Sequence, residues 1–241
     1  MRITVAGAGY VGFANAVMLA QRHEVRVFDI DELRVATINA GGTPIADADI
    51  EALLKADQRL ATPTLNLRAS SDAAWAFADA SLVLIATPTD YDPQSNRFDT
   101  TSVEAVVAQA RHHAPSATIV IRSTLPIGYS AQVAAECRAA TGAVVLHAPE
   151  FLREGSALDD SRHPSRLVIG ADLGDERALV VAREVGELLL AAAAPPVAAP
   201  APATAPAAAA PPAPAPAAAT LETAAPPAPA PAAPAPATAP A

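Results

Sequence analysis

Along the first 190 residues, short runs of nearly continuous apolar character alternate with longer stretches whose apolar residues recur at helical spacing. The runs Arg2–Ala6, Glu24–Asp29, Ser81–Thr87, Thr118–Arg122, Ala143–His147 and Arg166–Gly170 are rich in Val and Ile and predict strands covered on both faces. Leu65–Arg68 is a weaker strand candidate. Between them, helices are predicted over Tyr10–Arg22, Asp31–Ala40, Ala48–Ala56, Ser71–Ala78, Thr101–His113, Ser130–Ala140 and Asp175–Ala194. Asp31, Ser71 and Thr100 or Thr101 stand where an N-cap is needed. Strands alternating with helices imply a parallel sheet with right-handed crossovers, and so a doubly wound α/β fold.

Composition restricts where that fold ends. Of the 47 residues from Pro195 to Ala241, 40 are Ala or Pro, and 16 of the chain's 24 prolines lie there. Such a stretch buries too little apolar surface to offset its conformational entropy. A folded domain is therefore expected over 1–194, with a disordered, low-complexity Ala/Pro-rich tail over 195–241. The tail holds one charged residue, Glu222, so the remaining 16 basic and 24 acidic side chains belong to the domain. An acidic surface without Lys/Arg runs argues against nucleic acid and anionic membrane as partners. The apolar N-terminal run is broken by Gly7, Gly9 and Gly12 and lacks a cleavage-like site, so no signal peptide or membrane span is expected. One cysteine, Cys137, excludes an internal disulfide and a Cys-based metal cluster, and fits a reducing, cytoplasmic setting. No His spacing suggests a metal site.

Candidate chemistry begins at Gly7-Ala8-Gly9-Tyr10-Val11-Gly12, a G-x-G-x-x-G run that follows a predicted strand and opens a predicted helix. In that context the first Gly permits a tight turn, the second lets a pyrophosphate approach the backbone, and the third lets helix and strand pack closely. The helix N-terminus favours phosphate. Asp29, about twenty residues on at the end of the second strand, can accept hydrogen bonds from ribose hydroxyls and repel a 2′-phosphate, which favours NAD over NADP. The fold is then of the Rossmann type. Arg34 could reach the same ribose-phosphate region, or equally be an ordinary exposed helix residue. Three later strands run into Pro88, Pro126 and Pro149 with small polar or acidic residues alongside. Thr89, Thr124 and Glu150 thereby become candidates to line one cleft at the carboxyl edge, although Thr and Pro also simply suit strand exits. Glu150 and Glu154, if helical, share a face and could serve a substrate or a catalytic water; capping, or pairing with Arg153, is the alternative.

Taken together, Gly7–Gly12 with Asp29, Ala86-Thr87-Pro88-Thr89-Asp90-Tyr91-Asp92, Arg122-Ser123-Thr124-Leu125-Pro126-Ile127-Gly128, Ala148-Pro149-Glu150-Phe151-Leu152-Arg153-Glu154-Gly155 and His163-Pro164-Ser165-Arg166 resemble the UDP-glucose/GDP-mannose dehydrogenase family over about residues 1–190. The likeness is greatest to the short bacterial UDP-glucose 6-dehydrogenases. The resemblance implies NAD contacts at Gly7, Gly9, Val11, Gly12, Asp29, Arg34, Thr89, Thr124 and Glu154. It implies a substrate-binding segment at Glu150, Phe151, Leu152, Arg153 and Glu154, with Thr124 and Glu154 catalytic, beside a water. The implied reaction is double oxidation of UDP-glucose at C6 to UDP-glucuronate by two NAD, through a thioester on a cysteine in a later, Gly-rich motif.

Cys137 lies in Ala-Glu-Cys-Arg, unlike that motif, and no long central helix or sugar-nucleotide domain follows. The expectation is an enzyme of this family cut down to its N-terminal, NAD-binding half, binding NAD without complete turnover. The family's homodimer rests on the central helix not found here. The other reading is a stand-alone NAD-binding module whose Ala/Pro linker tethers a partner.

Overall fold

The Ile-Thr-Val-Ala run of β1 (Arg2–Ala6) is buried throughout and lies near the middle of the sheet. In the computed structural model, which describes residues 1–194 apart from 62, 95 and 96, β1 leads through α1 (Tyr10–Ala20) to β2 (Glu24–Phe28). Then come α2 (Glu32–Asn39), α3 (Ala48–Gln58), β3 (Leu67–Ser70), α4 (Ala73–Phe77) and β4 (Leu82–Ile85). A small hairpin of β5 (Tyr91–Asp92) and β6 (Arg97–Phe98) precedes α5 (Thr101–His113), β7 (Thr118–Ile121), α6 (Tyr129–Thr141), β8 (Val145–His147), α7 (Ala157–Arg162) and α8 (Glu176–Ala193). The tail expected over 195–241 lies outside the described residues.

All six strands of the main sheet are parallel, in the order β3-β2-β1-β4-β7-β8. The doubly wound fold is thus present. Strand alternation divides the core between two faces. Ile3, Val5, Leu82, Leu84, Val120 and Leu146 point to one, against α1, α3, α7 and α8. Ala6, Val83, Ile85, Ile119, Ile121 and Val145 point to the other, against α4, α5 and α6. Helix α1 is buried from Gly12 to Ala20, because α7 and α8 cover the side turned away from the sheet. That accounts for its lack of a polar face.

Several expectations need correction. The predicted strand Arg166–Gly170 does not join the sheet; only Gly170 bridges, antiparallel, to His147 at the end of β8. Leu167 and Ile169 pack against the core instead, and β8 is three residues long, so there is little edge to extend. The weaker candidate at Leu65–Arg68 is a true edge strand, shifted to Leu67–Ser70. The cap of α4 is Asp72, not Ser71, and that helix is only five residues long. The hairpin and α7 were not anticipated: both are too short to show a period.

Asp47 joins elements far apart in sequence. Its carboxylate, nearly inaccessible to solvent, accepts from Asp49 N and Ile50 N to cap α3 and from Leu158 N in the first turn of α7. One side chain thus satisfies N-terminal donors of two helices. We expect Asp47→Ala to cost about 2 kcal/mol, measured by urea unfolding, with Asp47→Asn retaining much of the loss. A change in the alanine variant below about 0.5 kcal/mol would show that the tie adds little.

Candidate functional site

The order of strands reverses between β1 and β4, and at their carboxyl ends lies a cleft of about 870 Å³. The glycine run builds its floor. Gly7 has φ +98° and donates its N–H to Phe28 O at 2.8 Å. A Cβ there would stand 2.6 Å from Ala86 O of the strand next door, and one on Gly12 would stand 1.9 Å from Gly7 O. Both glycines are therefore demanded by the close approach of α1 to the sheet. Gly9 differs. A Cβ on it meets nothing within 4 Å, because it faces the open cleft. As the N-cap of α1 it offers no side-chain acceptor, which leaves the first-turn N–H groups for whatever enters.

Asp29 is buried at the next strand end. Its carboxylate accepts from Ala8 N at 2.6 Å and from Asp31 N at 2.9 Å, so it ties β2 to the glycine turn while still lining the cleft. Asp31 caps α2 through Leu33 N and Arg34 N, confirming that expected cap. Arg34 lines the cleft with its guanidinium 3.7 Å from Asp29 Oδ2 and 3.6 Å from Asp31 Oδ2. Opposite, Ser102 on α5 donates to Pro88 O at 2.6 Å, and Ser123 Oγ donates to Thr87 O at 2.6 Å. These bonds lock together the segments that carry Thr89 and Thr124.

Of the sequence-predicted residues, Gly7, Gly9, Val11, Asp29, Arg34, Thr89, Thr124, Glu150 and Glu154 all line this one cleft. Gly12 lies behind it, in packing. The segment carrying the two glutamates is not helical; it is an irregular loop that turns at Gly155, φ +85°. Phe151, Leu152 and Arg153 are not among the cleft's lining residues. Phe151 lies under the guanidinium of Arg166, 4.3 Å from its ring centre, and Leu152 packs on the core. Arg153 pairs with Asp160 rather than with either glutamate, its side chain at 2.7 and 3.1 Å and its backbone N–H at 2.7 Å.

Residues that the motifs did not single out also contribute. Ser102, Ala105, Val106 and Gln109 of α5 form one wall, a surface that ordinary helical spacing does not distinguish from any other. Arg122, which falls in the predicted strand Thr118–Arg122 and opens a family-like motif without a role of its own there, is a buried cation in ion-pair contact with Glu150. Burial pushes its pKa down to about 10. Among the described residues no cluster of His, Cys, Asp and Glu is arranged to hold a metal, and no helix is long and apolar enough to cross a membrane. Cys137 is buried in the core on the α4, α5 and α6 face.

Residues 1–186 match the model of the UDP-glucose/GDP-mannose dehydrogenase family, NAD binding domain. The UDP-glucose 6-dehydrogenase of Streptococcus pneumoniae is 42% identical over 189 residues, covering 78% of this chain and 46% of that protein. That of Campylobacter jejuni is 38% identical over 192 residues, covering 79% and 45%. Among solved structures, a UDP-glucose dehydrogenase from Pyrobaculum islandicum superposes with TM-score 0.65 at 32% identity, covering 77% of this chain and 44% of that one. A ternary complex of GDP-mannose dehydrogenase from Pseudomonas aeruginosa gives 0.65 at 28%, covering 78% and 44%. The chain spans about half the length of the curated relatives it matches.

The glycine geometry fits a dinucleotide: open space over Gly9, unpaired helix donors and a carboxylate at the end of β2 stand where pyrophosphate and ribose would lie. The two outer glycines and the middle one should then separate by experiment. Gly9→Ala is expected to leave stability within about 0.5 kcal/mol of wild type while weakening NAD about tenfold or more. Gly12→Ala is expected to cost about 2 kcal/mol or more through the clash with Gly7 O. Calorimetric NAD titration and urea unfolding of both variants check this; equal behaviour of the two would refute the division of labour.

Proposed function

Because the chain belongs to the UDP-glucose/GDP-mannose dehydrogenase family, as its NAD-binding domain, we propose that it is the cofactor-binding half of a UDP-glucose 6-dehydrogenase acting in the cytoplasm. The observation that carries this reading is the convergence of Gly9, Asp29, Thr89, Thr124, Glu150 and Glu154, from five separate strand exits, on one cleft. Curated relatives from two bacteria carrying that name support the choice of UDP-glucose as substrate.

In this reading the N–H groups at Gly9 and Val11 receive the pyrophosphate, and Asp29 accepts from the adenosine ribose. Arg34 flanks that ribose and offsets the charge of Asp29 and Asp31. NAD, when bound, supplies the hydride acceptor for oxidation at sugar C6. Thr89 and Thr124 bracket the far end of the cleft, and Thr124 with Glu154 orients a water and takes its proton. The Glu150–Glu154 segment meets the sugar nucleotide, Glu150 and Glu154 through their carboxylates. Phe151, Leu152 and Arg153 act through backbone groups held in place by Arg166, the core and Asp160.

The family's second oxidation needs an accessible thiolate. Cys137 is fully buried, and burial raises its pKa, so it is unsuited to attack an aldehyde. We therefore expect the chain by itself to bind NAD without completing the reaction. NAD at a hundred times its dissociation constant should stabilise the fold by about 2.7 kcal/mol, with NADP protecting less because Asp29 repels its 2′-phosphate. With UDP-glucose and excess NAD, absorbance should show no sustained NADH formation. Two NADH per sugar would refute the account of Cys137, and absence of any protection by NAD would refute the cofactor assignment itself.

A further inference from the structure

Behind the cleft, four polar side chains from separate elements meet in an otherwise apolar setting. The Arg122 side chain, at the exit of β7, is 3% exposed and its ion-pair partner Glu150 is 12% exposed. Asn15 of α1 donates through Nδ2 to Val11 O at 2.8 Å, and the same nitrogen lies 3.4 Å from Glu150 Oε2. Asn15 Oδ1, Arg122 Nε and Nη1, and Ser161 Oγ of α7 are buried without a protein partner. A cavity of about 20 Å³ lies among them, lined also by Met18 of α1, by Pro164 and Leu167, and by Leu189, Leu190 and Ala193 of α8.

A buried cation with two unpaired nitrogens is costly, and hydrophobic packing alone would favour Met or Leu here. The cost is offset by what the guanidinium holds. Glu150 is the ion-pair partner of Arg122 among the described residues, and it opens the loop that carries Glu154. The other titratable groups lining the cleft with Arg122 and Glu150 are Tyr10, Asp29, Asp31, Arg34 and Glu154, and His147 at the end of β8 has its Nε2 3.2 Å from Ser123 O. From α1, α7 and α8 come Asn15, Met18, Ser161, Leu189, Leu190 and Ala193, which do not titrate.

We propose that Arg122 is a positioning residue: its buried guanidinium keeps the Glu150 carboxylate ionised and fixed, while Asn15 ties that pair to the first turn of the cofactor-facing helix. The loop 150–155 and the floor of the dinucleotide cleft thereby form one electrostatically locked unit. The functional weight of the lock rests on the reading of this loop as the substrate segment; the lock itself does not.

The test uses the whole chain without ligand. In Arg122→Met, Glu150 is left buried without its cation, so the folded state favours its protonated form. Stability relative to wild type should therefore fall as pH rises above the ordinary glutamate value of about 4.3, and level off once Glu150 ionises in the folded variant as well. At neutral pH, backbone amides of residues 150–155 should exchange at least about tenfold faster than in wild type. Arg122→Lys should recover most of both properties, and Arg122→Met with Glu150→Gln should abolish the pH dependence. Val133→Ala, in the core of the opposite face, controls for general destabilisation. A pH-independent loss in Arg122→Met, with loop exchange no faster than in the Val133→Ala control, would overturn the proposal. If wild type fails to bind NAD, the proposed function falls, whereas the ligand-free pH cycle still decides the lock.

Discussion

The closeness of α1 to the sheet governs the rest of the molecule. Its third glycine lies so near Gly7 that no side chain fits between them, and Gly7 in turn lies against the backbone of Ala86. This contact brings the helix N-terminus down to the carboxyl edge, where its unpaired N–H groups open onto the cleft. Asp29 reinforces it from β2 by accepting from Ala8 N. A side chain that would select a ribose therefore also braces the turn that would hold a phosphate. In the proposed reading, recognition and structure would share the same atoms at this point, each constraining what the other can tolerate.

Much of this was legible in the sequence because its signals are local. The run from Gly7 to Gly12 is contiguous, β4 and the Ile-Thr-Val-Ala run of β1 are nearly all apolar, β2 alternates apolar with charged residues, and Pro88, Pro126 and Pro149 follow strand exits. With strand ends on one edge, the convergence of Thr89, Thr124, Glu150 and Glu154 follows from topology alone. What escaped notice was set by tertiary structure. The apolar alternation at Leu167 and Ile169 reads as a strand, but it is used to cover the core beside a strand too short to extend. The spacing of Glu150 and Glu154 would put them on one face only in a helix, whereas the segment is an irregular loop in which Glu150 pairs with Arg122 from the exit of β7.

The loop from Glu150 to Gly155 is fastened by side chains from outside it. Asp160 fastens Arg153, Arg166 covers Phe151, and α7 is held at its start by Asp47 from more than a hundred residues earlier. A segment fastened on three sides can present carboxylates in a fixed geometry without regular secondary structure. That is the economy of a loop on a rigid scaffold.

The enclosure of α1 also has a temporal consequence. The helix is made within the first twenty residues, but the α7 and α8 surfaces that cover it come from near residue 160 and beyond. During synthesis an apolar helix must therefore wait, uncovered, until nearly the whole domain has left the ribosome. At about 5–20 residues per second, that delay is on the order of ten seconds or more. For that interval the face of α1 that α7 and α8 cover stays exposed on the nascent chain, although the last residue lining the cleft, Glu154, has been made before either helix.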